Sequence, residues 1–234
     1  MIEHAAPEVV ARAAHYGVAL DGPMGASLAR YLERLLETNR AFNLTAVTDP
    51  AAAWEKHIVD SLSLAPALRA DAELERVVDV GSGGGLPGIP LAIVLPERTF
   101  TLLEATGKKA RFLTEVSREL GLTNVRVVEE RAESYGRGAG RAQFDAVTSR
   151  AVSRLPVLLE LTLPLLRPRG LCLALKGEQA ELEVQEAARA LRLLGGAVRD
   201  LERTPTGTII RVDKCAPTPD KYPRRPGEPK KAPL

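Results

Sequence analysis

Cysteine and histidine are scarce in this 234-residue chain, which has only Cys172 and Cys215, and His4, His15 and His57. Neither cysteine has a Cys-x-x-Cys or Cys/His neighbourhood, so neither a zinc site nor a disulfide framework is expected. Cys172 lies in the apolar run LCLALK, and both cysteines read as ordinary residues. Three scattered histidines give no basis for a histidine-rich metal site, and no metal is expected. No apolar run approaches the ~20 residues that span a bilayer. The N-terminal stretch MIEHAAPEVVARAAHYG is acidic early and lacks the basic-then-apolar order of a signal peptide. A cytoplasmic protein without a membrane contact is therefore expected. Asn and Gln are also sparse, six in all, and arginine outnumbers lysine; a heat-adapted chain or a GC-rich genome gives this bias.

Hydrophobic residues make up 45% of the chain, enough for a sizeable core, and the length suits one good-sized domain with an added cap. The net charge is +2 but unevenly placed. From Arg203 to the end there are eight Lys/Arg against three Asp/Glu, or +5; the 24 Lys/Arg and 27 Asp/Glu before it give −3. A basic end of this kind suits a polyanion or is a solvated tail.

From about residue 75 short β-rich runs alternate with helical ones. The runs RVVDVG (76–81), TFTLLEA (99–105), NVRVVEE (124–130), FDAVTSRA (144–151) and GLCLALKG (170–177) are strand-like. Between them, Ala110, Leu113, Val116 and Leu120 recur at helical spacing. This rhythm predicts βαβ units, a parallel sheet and right-handed crossovers. GGAVRDLERT and GTIIRVDK, separated by Pro-Thr, predict an antiparallel hairpin at the sheet's edge. The expected fold is α/β: a Rossmann-like, mostly parallel seven-stranded sheet with an antiparallel C-terminal hairpin, the class I methyltransferase layout, plus an N-terminal helical cap. In the cap, Leu28, Tyr31, Leu32, Leu35 and Leu36 share one helix face, and AAAWEKHIVDSLSLAPAL reads as a second helix opened at TDP. Residues 1–70 form the cap, 71–214 the catalytic domain, and 215–234, with six prolines, an extended tail.

Five glycines fall between Gly81 and Gly88, directly after the first strand. A phosphate-cradling P-loop is excluded, because the loop has no Gly-Lys-Ser/Thr ending. The dinucleotide pattern is met formally by Gly83, Gly85 and Gly88, with Glu104 at the end of the next strand suited to a ribose hydroxyl pair. Asp79, two residues before the first glycine, suits an ammonium and not a pyrophosphate. Pro87 and Pro90 delay the helix. Asp-x-Gly-x-Gly with a downstream glutamate is the pattern of S-adenosylmethionine binding: Gly81 and Gly83 let backbone approach the donor, and Glu104 holds its ribose. RAES (131–134) can meet an adenine edge.

At this point the chain resembles the 16S rRNA guanine-N7 methyltransferase G family, also called glucose-inhibited division protein B. The resemblance runs over nearly the whole length. It is carried by NLTAV (43–47), KHIVDSL (56–62), DVGSGGGLPGIPLAI (79–93), LLEATGKKARFL (102–113), RAE (131–133), SRAV (149–152), LKG (175–177) and the tail. Leu86 stands where the family often has Phe, and Gly84 or Gly85 where Ala is common. The resemblance implies a monomeric enzyme that uses S-adenosylmethionine to methylate N7 of one guanine in 16S rRNA, free or in the 30S subunit. By the family's motifs Gly81 and Leu86 line the donor, Glu104, Ala105 and Thr106 meet ribose and adenine, Ala132 and Glu133 meet adenine, and Arg150 lies beside donor and target.

Guanine N7 carries a lone pair and no proton, so no general base is expected and catalysis should be positioning. Arg150 and Lys176, both at strand ends, are the candidates for gripping guanine O6. Arg203, Arg211, Lys214, Lys221, Tyr222, Arg224, Arg225, Lys230 and Lys231 are the candidates for phosphate contact and base stacking. His57 and Asp60 are three apart and share a helix face, as a proton relay or as a structural link between cap and sheet domain. A methyltransferase acting on another substrate, a nicotinamide-dependent oxidoreductase and an RNA-binding module with a vestigial donor site are the competing readings.

Overall fold

The computed structural model describes residues 5–234. His4 and the first residues of the stretch read for a signal lie outside the described residues. The chain opens with α1 (Pro7–His15) and α2 (Pro23–Asn39), each with a proline in its first turn, where the missing N–H costs nothing. Leu28, Tyr31, Leu32 and Leu35 form the buried face of α2.

The second cap helix departs from expectation. Asp49 caps α3 (Pro50–Ala53) by accepting from Ala52 N at 2.8 Å, but the helix then widens into π geometry over Trp54–Val59. It closes through α4 (Asp60–Leu62) and α5 (Ala65–Arg69). Single π turns inside helices re-aim side chains and recur at functional sites; this one carries His57.

The sheet then follows in the predicted alternation: β1 (Arg76–Val80), α6 (Gly88–Val94), β2 (Thr99–Glu104), α7 (Gly107–Glu119), β3 (Val125–Glu129), α8 (Ala132–Arg137), β4 (Phe144–Arg150) and α9 (Leu155–Thr162). β5 (Leu166–Lys176), α10 (Ala180–Glu186), α11 (Ala188–Leu194), β6 (Gly196–Thr204) and β7 (Gly207–Lys214) complete it. The order is β3-β2-β1-β4-β5-β7-β6, with β1 to β5 parallel and β7 antiparallel to both β5 and β6. The chain leaves β1 in one direction to β2 and β3 and returns to its other side at β4. A crevice forms outside the strand C-termini at such a switch point.

One sheet face packs against the cap, α6 and α7; the other packs against α8, α9 and α11. The buried side chains of the cap form one continuous cluster with those of the first face. Among the described residues no helix is long and apolar enough to cross a membrane.

The tail corrects the expectation of an extended segment. It folds back onto the second face and ends in a single turn, α12 (Glu228–Lys231). Six prolines remove donors but leave carbonyls, which need partners from elsewhere. Arg141 donates to Thr218 O (2.6 Å) and Tyr222 O (2.8 Å), and Arg137 donates to Pro223 O (2.9 Å). Arg224 forks onto Glu160, a fully buried carboxylate on α9, with its Nε 2.9 Å from Oε1 and its Nη2 2.5 Å from Oε2. A charge in that position requires a partner of opposite sign.

Candidate active site

A cavity of about 220 Å³ opens at the C-terminal ends of β1 and β2. Val80, Gly81, Leu103, Glu104 and Ala105 form its floor, and Arg131, Ala132 and Glu133 one side. Val152, Ser153, Val157 and Leu161 form the other side, and the tail closes it with Gly227, Pro229 and Lys230.

Gly81 adopts φ +72°, and a Cβ there would stand 2.6 Å from Val152 Cγ2. Both facts restrict the position to glycine. Glu104 is buried and receives two backbone donors, Gly83 N on Oε2 at 2.9 Å and Thr106 N on Oε1 at 2.8 Å. One carboxylate thus fixes the glycine loop and the start of α7. The loop is held from the other side by the cap: Tyr31 donates to Gly84 O at 2.7 Å. Tyr31 had been visible in the sequence only as part of a helix face. Its phenol is fully buried, and burial raises its pKa well above the usual value.

The structure brings together five of the sequence-predicted donor residues, Gly81, Glu104, Ala105, Ala132 and Glu133, around the cavity. Gly83, Thr106 and Arg150 stand behind or beside it. Asp79 and Leu86 are corrections. Asp79 is 0% exposed; it accepts from Thr148 Oγ1 (3.0 Å) and Gly88 N (3.3 Å), and burial pushes its pKa up to about 6. It braces the loop from beneath and offers no face to an ammonium. Leu86 is buried in the core shared with the cap and is not among the cavity-lining residues.

Arg150, at the end of β4, is held by the cap. Its Nη1 bonds Asp60 Oδ2 at 3.2 Å and Lys56 O, and its Nη2 donates to His57 Nδ1 at 3.0 Å. Arginine can only donate, so Nδ1 accepts and Nε2 carries the proton towards Thr45 Oγ1, 2.7 Å away. Burial, with Arg150 adding to it, lowers the His57 pKa to about 4. Asp60 Oδ1 also receives the hydroxyl of Thr206 from the β6–β7 turn. Both sequence candidates in KHIVDSL therefore meet the same guanidinium.

Lys176 is placed differently from expectation. Its Nζ pairs with Glu183 at 2.7 Å and donates to Ser153 O at 2.6 Å, behind the cavity wall. Of the predicted RNA contacts, Lys214 is 1% exposed and bonds Leu194 O and Thr218 Oγ1. Burial lowers its pKa to about 8. Tyr222 is buried in the second core, Arg224 is spent on Glu160, and Arg211 on Asp200 and Glu202. Lys214, Tyr222 and Arg224 are corrections, because each side chain is committed inside the fold; Arg211 is paired at the surface with two half-exposed carboxylates. Arg203 pairs with Glu181, both largely exposed, a contact worth little. Lys221, Arg225, Lys230 and Lys231 are exposed. Two residues escaped the sequence reading. Glu160 had a usable signal, one carboxylate within the apolar run LPVLLELTLPLL; Ser153 had none.

Residues 24–207 match the GidB family, described as rRNA small subunit methyltransferase G. A ribosomal RNA small subunit methyltransferase G of Sorangium cellulosum is 50% identical over 214 residues, 92% of this chain and 90% of that protein. Its namesake in Chloroflexus aggregans is 45% identical over 94% of each chain. Among solved structures, a protein of Corynebacterium glutamicum superposes with a TM-score of 0.55 at 18% identity, covering 80% of this chain and 90% of that one. A Klebsiella pneumoniae protein assigned as an O-methyltransferase gives 0.54 at 20% identity, with the same coverage. At that identity the likeness speaks for the fold alone, a mostly parallel seven-stranded α/β sheet. The family match and the full-length relatives speak for the chain itself: it belongs to the rRNA small subunit methyltransferase G family.

Proposed function

We propose that this enzyme binds S-adenosylmethionine in the cavity at the ends of β1 and β2 and methylates N7 of one guanine in 16S rRNA. The observation that carries the reading is the pairing of Gly81 and Glu104 on one cavity floor at the switch point of the sheet.

The residues present fit the donor. Each Glu104 oxygen accepts one backbone N–H and keeps a lone pair, so the two oxygens can receive a vicinal pair of ribose hydroxyls. Gly81 leaves backbone bare where a Cβ would be crowded out. Leu103, Val152, Val157 and Leu161 offer apolar surface to a flat ring, with Ala132 and Glu133 at its edge. When bound, the donor supplies an electrophilic methyl group on a sulfonium sulfur.

The chain's own residues then have to orient the target. N7 presents a lone pair, so no residue needs to remove a proton, and alignment supplies the rate. Arg150 spends three of its five N–H donors on Asp60, Lys56 and His57. The fork is thereby fixed with donors left over for guanine O6. Lys176, tied to Glu183, serves the cavity wall and not the base. Lys221, Arg225, Lys230 and Lys231, with Arg203, remain as phosphate contacts. An rRNA substrate makes the cytoplasm the expected location, and nothing in the reading requires a second copy of the chain.

The test is direct. Calorimetry should show binding of S-adenosylmethionine and none of NAD. Incubation with labelled donor and unmethylated 30S subunits or 16S rRNA should place one methyl group on a guanine N7, mapped by mass spectrometry. Label on an exocyclic amine or ring carbon, or on no rRNA at all, would remove the reading.

A further inference from the structure

β4 ends at Arg150, and the next residue, Ala151, adopts φ +56°. A non-glycine residue in that left-handed region is strained and needs its surroundings to hold it there. The bend carries Val152 over Gly81 and sets Ser153 in the cavity wall. Ser153 is then anchored from behind. Lys176 Nζ donates to its carbonyl at 2.6 Å and pairs with Glu183 at 2.7 Å. Glu183 in turn accepts from Leu155 N at 2.6 Å, fixing the chain two residues further on. An ion pair between the end of β5 and α10 thus holds this short wall segment.

Within it, Ser153 Oγ is buried and has no hydrogen-bond partner. A buried hydroxyl without a partner is a cost that folding alone does not repay. Of the buried side-chain polar atoms lacking a partner among the described residues, it alone belongs to a residue lining this cavity. A strained neighbour, a dedicated ion pair and an unspent hydroxyl at one point of the wall indicate a group awaiting its ligand.

We infer that Ser153 is a donor-binding residue whose hydroxyl bonds the amino-acid end of S-adenosylmethionine, with Lys176 and Glu183 as its positioning residues. The choice of end follows from the order of the wall. Ala132 and Glu133 follow β3, Glu104 ends β2, Gly81 follows β1 and Ser153 follows β4. A ligand with its ribose on Glu104 and its base on the β3 side extends its remaining part across β1 towards β4. The inference rests on the donor reading above.

Three ligands test it on wild type and Ser153→Ala: S-adenosylmethionine, S-adenosylhomocysteine and 5′-methylthioadenosine, which has the nucleoside but no amino-acid end. The variant should bind the first two roughly tenfold more weakly and the third unchanged. Its melting temperature without ligand should equal or exceed that of wild type, since only an unspent hydroxyl is lost. Equal affinities of variant and wild type for all three ligands would assign the hydroxyl to a structural water and overturn the inference. An equal loss for all three would move it to the nucleoside and overturn the assignment to the amino-acid end. Lys176→Met should weaken S-adenosylmethionine binding in wild type but add nothing in Ser153→Ala; additive losses would overturn its positioning role. Failure of the wild type itself to bind S-adenosylmethionine would refute the donor reading, an outcome distinct from all of these.

Discussion

Arg150 Nη1 stands 3.2 Å from Asp60 Oδ2, joining the end of the central strand β4 to the helical cap across 90 residues of sequence. Thr206 bonds the other oxygen of the same carboxylate from the hairpin turn, so β4, the cap and the hairpin converge on the one carboxylate of Asp60. On the proposal that Arg150 grips the target guanine, the cap belongs to the target side of the site. Asp60→Ala should free Arg150 without touching the donor cavity. The expected result is a loss of roughly tenfold to a hundredfold in kcat/KM for 30S subunits, with S-adenosylmethionine affinity within about twofold of wild type. Parallel steady-state assays and calorimetry separate the two. A matching loss of donor affinity would place Arg150 on the donor and not on the target.

His57 gives the fold a definite response to acid. Its pKa in the folded protein is lowered to about 4, chiefly by burial and then by Arg150. A depressed histidine means that the unfolded chain binds the proton more readily. Its contribution is fully present above the unfolded pKa near 6.5 and is lost as pH falls from there to about 4. A shift of that size corresponds to roughly 3 kcal/mol. His57→Gln cannot take up the proton. The variant should lose less stability than wild type between pH 6.5 and 4, as read by urea unfolding at a series of pH values. Parallel curves for the two proteins would remove this assignment.

The strands and the place of Glu104 at the end of β2 were legible because each had a local cause. Short apolar runs alternating with helical ones marked β1 to β5, and Glu104 stood at the right distance along the chain to end the next strand. The Arg150–Asp60–His57 contact was half legible: KHIVDSL marked the two cap residues, but no local pattern announces a partner 90 residues away. The π turn was not legible, since its sequence reads as ordinary helix. The tail misled because proline count reports what a segment cannot form by itself. It does not report that Arg137, Arg141 and Glu160 supply the missing partners. Lys214 and Lys176 were misread for a related reason, because a lysine's charge is visible in sequence and its burial against a carbonyl or carboxylate is not.

Two adjacent glycines of the loop should respond to the same substitution to different degrees. Gly85 adopts φ +98°, and a Cβ there would lie 2.7 Å from Ile89 Cγ1 and 3.2 Å from the Tyr31 hydroxyl. Gly84 has an ordinary backbone, and its nearest obstacle is the end of the Leu35 side chain at 2.7 Å. Gly85→Ala should therefore cost about 1–3 kcal/mol and weaken donor binding, since the loop it bends also carries Gly83 N to Glu104. Gly84→Ala should cost less than about 1 kcal/mol, because its backbone is unstrained and only the tip of the Leu35 side chain has to move. Chemical denaturation and calorimetry on the pair would decide. Equal costs would mean that the loop tolerates either position and that its backbone angles are not what holds it.

The tail contains two kinds of cation, and mutation should sort them. Arg224 neutralises Glu160, which has no exposure. Arg224→Ala leaves that carboxylate buried and unpaired, a loss of about 3–5 kcal/mol. The double change Glu160→Leu with Arg224→Met removes both charges together and should recover most of it. Arg225, Lys230 and Lys231 face solvent. Each alanine substitution there should leave stability within about 0.5 kcal/mol. If the residue meets a phosphate, the same substitution should lower the slope of log affinity for rRNA against log salt by about one. The charge-free Glu160/Arg224 pair should leave that slope intact, because the Arg224 guanidinium is held on Glu160. Lys230 also lines the cavity beside Pro229, and Gly227 N bonds Glu133 at 2.9 Å, so the same short turn borders the cavity and carries solvent-facing cations. Donor affinity should be insensitive to salt in every one of these variants. A donor-binding curve as steep in salt as the rRNA curve would mean that the tail's charges act on the cavity and not on the nucleic acid.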